Sequence, residues 1–512
     1  MARRVLFITA DQWRADTAGF AGHPLVQTPH LDALAAESVV FDRHFTCSAP
    51  CGPARTTLLT SLYPFTHRSV RNGIPLDARF TNLAKEMRAG GLDPVLFGYT
   101  DTSIDPRGRA PGDPAVHTYE GVLDGFRLEA SAITSRVSDW IVDLAAKGYP
   151  IPERIADVHR HPGSPEEMAA FSTGPALYRA EDSDTAFTAD RVIDWLRPRR
   201  GTDWFVHVSF LRPHPPLIAP APYNDMYDPA TVAAPVRRAS LAEESAQHPF
   251  LAFWHGTADR AAYHESQVNT MRLGEDGQRA MRAVHYGLVT EVDHHVGRII
   301  AALKDSGDYD DTLIVVTSDH AEMLGDHWLW GKGGWFDGAY RLPLLIRDPH
   351  RATAAGRHVD AFTESVDLAP TLLSRLGLPV PHMWDGRRLD AFLEGREPES
   401  WRDGVFWEFD FREPVEKTAE TALGLTSDQC VLNVWRDERY KYVHFAGLEP
   451  LLFDLEADPH EFDNRAGDPA MKGVIADYSG KLLDHRMIHA ERTLTTTMLT
   501  DQGAETDQTP RY

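Results

Sequence analysis

Residues 49 to 63, Ala-Pro-Cys-Gly-Pro-Ala-Arg-Thr-Thr-Leu-Leu-Thr-Ser-Leu-Tyr, put a thiol, a proline turn and a guanidinium close together. Pro53 favours a helix start, so Cys51 falls at or just before a helix N-terminus, where free backbone N–H groups and the helix dipole favour an anion. Arg55 lies one turn further on and can reach back toward Cys51. The segment alone admits three readings: a low-pKa nucleophilic thiol, a buried cysteine beside a turn, or a Cys47–Cys51 redox pair. Two polar pairs stand elsewhere. Asp11-Gln12 ends the apolar run Val5 to Ala10, and Asp319-His320 follows Leu313 to Thr317. If those runs are neighbouring strands, the four side chains meet at one sheet edge, an oxygen-rich set with one imidazole suited to a divalent metal. Either pair taken singly reads as a polar loop after a strand.

The elements that must position these groups follow from apolar patterning. Val5 to Ala10 is nearly unbroken apolar sequence, as in a strand covered on both faces of a parallel sheet. Thr28-Pro29 opens a helix with Leu31, Leu34 and Ala35 on one face, and Val39 to Phe41 is a short strand. Trp204 to Phe210, Leu313 to Thr317 and Leu344 to Ile346 repeat the strand pattern, with Pro343 tolerable only at a strand start or edge. Met281, Val284, Leu288, Val292, Val296 and Ile300 keep helical spacing within about 278–304, and Gly307 stands just past the end. These alternations predict an α/β fold with a large doubly wound mixed sheet flanked by helices. Gly404 to Phe409, Val431 to Trp435 and Tyr440 to His444 are aromatic, β-branched and separated by turns, which predicts a smaller antiparallel sheet packed by a last helix over about 469–490. The expected organisation is a catalytic unit over 1–398, a small C-terminal subdomain over 399–490 and a polar tail over 491–512.

Composition limits the partners. The 512 residues carry 52 Lys+Arg against 75 Asp+Glu, a net charge of −23, with 42% hydrophobic residues. That hydrophobic share excludes wholesale disorder. The acidic balance speaks against nonspecific binding to nucleic acid or to an anionic membrane. Three cysteines do not make a disulfide scaffold. The N-terminal apolar run is too short for a signal-peptide core and no stretch reaches membrane-spanning length, so the expected compartment is the cytoplasm.

Cys51-Gly52-Pro53-Ala54-Arg55 resembles the C-x-P-x-R signature of the sulfatase family in the alkaline phosphatase superfamily, and Asp11, the His214 motif, Asp319-His320 and Lys332 follow in that family's order. The similarity is closest to the phosphonate monoester hydrolase/phosphodiesterase branch. It is carried by Asp11 to Asp16, Cys51 to Tyr63, Gly98-Tyr99-Thr100, Arg212 to Pro216, Thr317 to His320, Asp437 to Phe445 and Arg492 to Thr495, spread over essentially the whole chain. The resemblance implies that Cys51 is oxidised after translation to formylglycine by dedicated machinery. The hydrated aldehyde would then attack phosphorus or sulfur in line, and its second hydroxyl would expel the bound group by C–O cleavage.

The same resemblance implies a metal shell of Asp11, Gln12, Asp319, His320 and modified Cys51. Gln12 and His320 stand where many sulfatases have a carboxylate and an asparagine, which moves the expected ion from calcium toward manganese. Arg55 is expected to steady the shell and contact the formylglycine. His214 is the expected partner of the leaving group, Lys332 the cation for the transferred group, and Asn72 and Tyr99 substrate contacts. Asp101 departs from the branch, which usually has threonine there. It reads either as the base for hemiacetal breakdown or as a loop-capping residue. His294, His295 and His327 read as solvated or core residues, Tyr440, Lys441 and Tyr442 as packing and solvated positions, and Asp458 to Glu461 as a turn.

The implied activity is hydrolysis of phosphonate monoesters and phosphate diesters, promiscuous toward sulfate esters. Arylsulfatase is the alternative in the same chemistry, and a binding protein with unmodified Cys51 the alternative in a different class. The implied substrate is a small monoanionic ester, and the implied assembly a homotetramer or homodimer with the tail reaching a neighbour.

Overall fold

The computed structural model describes residues 4–160, 170–258 and 268–512. Its main sheet is built from β1 (Arg4–Ala10), β2 (Val39–Phe41), β3 (Pro94–Phe97), β4 (Arg127–Ala130), β5 (Trp204–Phe210), β6 (Thr312–Thr317), β7 (Leu344–Arg347) and β8 (His358–Val359). The order across the sheet is β8-β2-β7-β6-β1-β5-β3-β4. Strands β6, β1, β5 and β3 run parallel side by side, whereas β7 pairs antiparallel with both β6 and β2. The expected mixed, doubly wound sheet is therefore present.

β1 is apolar on both faces because both faces are covered. Leu6 and Ile8 pack with Leu31 and Leu34 of α1 (Pro29–Ala36), Phe187 and Val192 of α3 (Asp184–Leu196) and Val284 and Val292 of α4 (Glu275–Ser306). Val5 and Phe7 point the other way, onto Leu58 and Leu59 of α2 (Cys51–Thr60) and Leu372 and Leu373 of α5 (Leu368–Arg375). The alternation follows the two-residue period of a strand. α4 ends where the sequence predicts, with Gly307 left-handed at φ 76°. Thr28 stands at the N-cap of α1, but its hydroxyl donates to Asp32 Oδ1 at 2.8 Å and accepts from Gly19 N at 2.8 Å instead of from a helical N–H.

The carboxyl ends of β6, β1, β5 and β3 lie along one edge, and the in-register pairs Thr9–Thr317 and Ala10–Phe210 bring Asp11, Asp319 and the loop after Phe210 to one level. Gly98 makes the β3 end possible. It has φ 104°, and a Cβ there would run into the carbonyl of Ser209 on β5. Gly98→Ala is expected to destabilise the chain by about 2–4 kcal/mol and to displace Tyr99. Chemical denaturation checks this, and an unchanged midpoint would refute the close-approach argument.

The second sheet pairs β9 (Gly404–Asp410), β10 (Val431–Asp437), β11 (Tyr440–Phe445) and β12 (Leu451–Asp454) antiparallel in sequence order. Tyr478 and Leu482 of α6 (Lys472–Ile488) pack with Phe406, Trp435, Tyr442 and Leu452 of this sheet. Glu408 N donates to Cys47 O at 3.0 Å, so β9 braces the segment that leads into Cys51. One sequence expectation is corrected here. Lys441 is fully buried rather than solvated, because Asp337 Oδ1 at 2.6 Å, Glu461 Oε1 at 2.7 Å and Trp335 O at 3.1 Å replace its water. Within the polar tail, β13 (Thr497–Thr500) and β14 (Gly503–Thr506) form a hairpin. The chain end returns to its own body through Arg511–Asp385 at 3.0 Å and Tyr512–His489 at 3.2 Å.

Candidate active site

α2 begins at Cys51 itself, with Pro50 as its N-cap in extended conformation. The helix is wholly buried, so its N-terminus lies against protein rather than water. Cys51 Sγ lies 3.0 Å from His320 Nε2 and 3.8 Å from Asp11 Oδ1. Asp11, Cys51, Asp319 and His320 each present a ligand atom within 4.8 Å of the others, all buried. Two carboxylates, a sulfur and an imidazole gathered out of water fit a divalent cation, since so many anionic donors repel one another without one. His320 is oriented for this: Nδ1 donates to Ala321 O at 3.1 Å, which turns the Nε2 lone pair to the cluster. Burial, then Lys332, hold His320 below the ordinary imidazole range against the pull of Asp319 and Asp11. Its neutral form is the ligating one.

Arg55 does not reach back to Cys51. Its Nε donates to Asp319 Oδ2 at 2.8 Å, Nη2 to Asp11 Oδ2 at 3.0 Å, and Nη1 to Tyr99 O at 2.9 Å and Ser209 Oγ at 2.6 Å. The guanidinium also lies 4.2 Å over the Tyr99 ring, whose hydroxyl donates to Asp11 Oδ2 at 2.5 Å. Burial opposes ionisation of Asp11, yet Arg55, His320, Lys332 and the Tyr99 hydroxyl outweigh it and hold that carboxyl below its ordinary range. Burial and then the Asp11 charge push the Cys51 thiol well above its ordinary value, with Asp319 and Asp101 adding to this. Against the first sequence reading, the chain's own groups do not lower the pKa of this thiol. All three cysteines are free, so Cys47 and Cys51 form no disulfide.

Gln12 has φ 64°, and its side chain bridges two charges: Oε1 accepts from Lys332 Nζ at 2.5 Å and Nε2 donates to Glu322. Lys332 Nζ also donates to His214 Nε2 at 3.2 Å, while His214 Nδ1 faces Pro215 O at 2.5 Å. This pattern makes His214 a neutral imidazole with its proton on Nδ1. Burial, then the Lys332 charge, lower its pKa accordingly. Arg212 fixes the His214 loop by donating to His214 O at 3.0 Å and Pro216 O at 2.9 Å.

Asn72 and Asp101 both approach Gly52, the residue after Cys51. Asn72 Oδ1 accepts from Gly52 N at 2.8 Å, and a Cβ on Gly52 would lie 3.1 Å from Asp101 O. Asp101 is 7% exposed, and its carboxylate has no hydrogen-bond partner among the described residues, so it caps no loop. Burial pushes it up to about 8 against the pull of Arg55, and the charges of Asp11, Glu120 and Asp319 add to the rise. His327 sits apart, stacked on Phe336 and bound to Glu244 at 2.5 Å, His295 is buried on α4 and His294 is exposed.

Two site residues escape sequence reasoning. Glu322 is 2% exposed and accepts from Gly331 N at 2.6 Å and Leu324 N at 3.0 Å as well as from Gln12. Its place three positions after Asp319 was the available signal. Ser209 gave none, because an inward hydroxyl in an apolar strand resembles any other.

This fold and site define a hydrolase centre at a sheet edge, and comparison with known proteins agrees. The sulfatase family model matches residues 3–378, and the model for the C-terminal part of N-sulphoglucosamine sulphohydrolase matches residues 325–488. The chain belongs to the sulfatase family. It is 41% identical, over 98% of its length and 99% of the relative's, to the multifunctional alkaline phosphatase superfamily protein PehA of Trinickia caryophylli. Two solved structures are similar throughout. The phosphonate monoester hydrolase of Agrobacterium radiobacter is 47% identical at TM-score 0.93, covering 99% of this chain and 100% of that one. The phosphonate monoester hydrolase of Silicibacter pomeroyi is 43% identical at TM-score 0.94, with both chains fully covered.

Proposed function

We propose that the chain hydrolyses phosphonate monoesters and phosphate diesters, and sulfate monoesters more slowly, with formylglycine made from Cys51 and one divalent ion. The observation that carries this reading is the position of Cys51, at a buried helix N-terminus 3.0 Å from His320 within a cluster of metal-ligand type. The names of the solved structures at 43% and 47% identity, both phosphonate monoester hydrolases, support the phosphonate part of the substrate class. Asp11, Gln12, Asp319, His320 and modified Cys51 would hold the ion. The imidazole and the neutral amide favour manganese over calcium.

When present, the ion supplies Lewis-acid stabilisation of anionic oxygens, and the aldehyde hydrate supplies one hydroxyl to attack and a second to release the product. The chain's own groups do the rest. Arg55 holds Asp11 and Asp319 in place by an ion pair to each and helps keep Asp11 ionised. Lys332 Nζ, held by its hydrogen bond to the neutral His214 Nε2, delivers a proton to the leaving oxygen and a positive charge to the transferred group. Asn72 offers its amide N–H groups, which have no partner among the described residues, to a substrate oxygen. Asp101, next to the same helix start, accepts the proton whose loss triggers product release.

Sulfate monoesters, phosphate diesters and phosphonate monoesters each carry one negative charge, so arylsulfatase is the competing reading. The test is a panel of an aryl phosphonate monoester, an aryl phosphate diester and an aryl sulfate. Intact mass of the Cys51 peptide from a formylglycine-competent host accompanies it. The expected result is aldehyde at Cys51 and faster turnover of both phosphorus esters. Sulfate turnover above both would select the arylsulfatase, and an unmodified thiol in active protein would remove the proposed nucleophile. We also infer a cytoplasmic enzyme, from three buried free thiols, and a homodimer or homotetramer. Leu494, Met498 and Leu499 of the tail are 74%, 69% and 83% exposed, and that apolar surface suits a second copy.

A further inference from the structure

Glu322 is buried beside the reaction centre, yet the chemistry above gives it no task. Its carboxylate gathers donors from three places. Oε1 accepts from Gly331 N at 2.6 Å and Leu324 N at 3.0 Å, and Oε2 accepts from Gln12 Nε2. Gln12 is itself fully buried, and Lys332 Nζ donates to its Oε1 at 2.5 Å. The Gln12 amide thus lies between an anion on its NH2 side and a cation on its oxygen side. The backbone around it is held as well. Gln12 N donates to Asp319 Oδ1 at 3.3 Å, and Arg14 Nη1 ties the same segment to the Glu322 loop through Met323 O at 3.1 Å and Asp326 Oδ2 at 2.5 Å. Met323 N donates to Gly331 O at 2.9 Å, which joins that loop to the segment carrying Lys332.

The two ends of a glutamine amide have nearly the same shape and opposite chemistry. The oxygen accepts hydrogen bonds and ligates cations, and the NH2 does neither. Turned over, the Gln12 amide would set its NH2 against the Lys332 ammonium and its oxygen against the Glu322 carboxylate. Both charge-assisted contacts would become repulsive, at a place with no water to relieve them. Glu322 and Lys332 together therefore fix which end faces which way. The oxygen has two lone pairs, so the one that accepts from Lys332 leaves another for a cation. An anion on the NH2 also pushes electron density toward the oxygen, which makes a neutral amide a better ligand.

We propose that Glu322 is a positioning residue that makes Gln12 a metal ligand, by holding Nε2 so that Oε1 is the end presented to the divalent ion. This rests on the metal shell proposed above and adds to it the group that orients one of its members.

The test reads ion affinity rather than turnover. The formylglycine-bearing chain is stripped of metal, freed of chelator and titrated with manganese by calorimetry. Glu322→Gln is expected to weaken manganese binding about thirtyfold. The new side chain has one acceptor oxygen, which the two backbone N–H groups claim, so its NH2 meets that of Gln12 and turns it over. In a Gln12→Ala background the same substitution changes the affinity by less than about threefold, because the group it acts through is gone. A carboxylate that only kept its loop folded would cost the same factor in both backgrounds. The exchange Gln12→Glu with Glu322→Gln keeps the charge of the pair and its pairings, and is expected to bind manganese within about threefold of wild type or more tightly. That exchange decides the matter where Glu322→Gln alone does not fold, and its own failure to fold would count against the proposal. An undiminished affinity in Glu322→Gln, an equal loss in the Gln12→Ala background, or an exchange more than about tenfold weaker than wild type would each overturn it with the metal reading intact. Wild-type chain that takes up no manganese would overturn both.

Discussion

Cys51→Ala will abolish turnover while leaving the chain folded. Removing a covalent nucleophile costs on the order of 10⁴-fold or more in kcat, because the remaining groups only bind and polarise the substrate. Little structural cost is expected. Cys51 is the first residue of α2, its sulfur makes contacts only of the weak thiol type, and alanine is a good helix former. Thermal midpoints should agree within a few degrees, so lost activity reports chemistry alone. Cys51→Ser separates the two hydroxyl roles. A serine can attack phosphorus but has no second hydroxyl to expel the product, so it should react once and retain a covalent phosphonyl ester visible by intact mass. Sustained wild-type turnover in either variant would remove Cys51 from the mechanism.

Arg55→Gln is the second large effect. Arg55 is 2% exposed and bridges Asp11 and Asp319, which also meet in the metal cluster. Breaking a buried pair leaves uncompensated charge and costs about 3–5 kcal/mol. Here one guanidinium serves two carboxylates, so the loss should fall in the upper part of that range. A divalent ion supplies the missing positive charge, hence the stability deficit should be larger in chelator than in saturating manganese. The pH dependence has a definite sign. Arg55 helps hold Asp11 below its ordinary range, so this stabilisation is complete above about pH 4 and is lost as pH falls through the lowered folded value. The gap between wild type and variant should therefore be widest near neutrality and narrow in acid. Equal deficits with and without metal would refute the charge-bridging role.

Much of this was legible in local patterning, and particular residues show why the rest was not. β1 and β6 were readable because a doubly covered strand must be apolar at every position, and the polar residues that end such runs lie at a sheet edge. The start of α2 at Cys51 was legible from Pro53. The direction of Arg55 was not, because spacing on one helix cannot reveal that two strands bring carboxylates to its side. Lys441 was misread for the same reason. Its partners Asp337 and Glu461 lie 104 and 20 positions away in the chain, and only folding brings them to its ammonium. Glu322 passed unnoticed although it stands three positions after Asp319, because that spacing does not by itself separate a buried carboxylate from a solvated one.

By itself the sequence determined the α/β class, the central strands β1, β5 and β6 with the helices α1, α2, α4 and α6, and a C-x-P-x-R segment placed among metal-ligand residue types. Those follow from hydrophobic period, capping and chain order, which are local. The tertiary structure alone decided which residues meet. The in-register edge of β6, β1, β5 and β3 gathers Asp319, Asp11, His214 and Tyr99 from across more than 300 positions. Burial then raises the Cys51 thiol and keeps His214 and His320 neutral. Those properties depend on dielectric and distance, which exist only once the chain is folded.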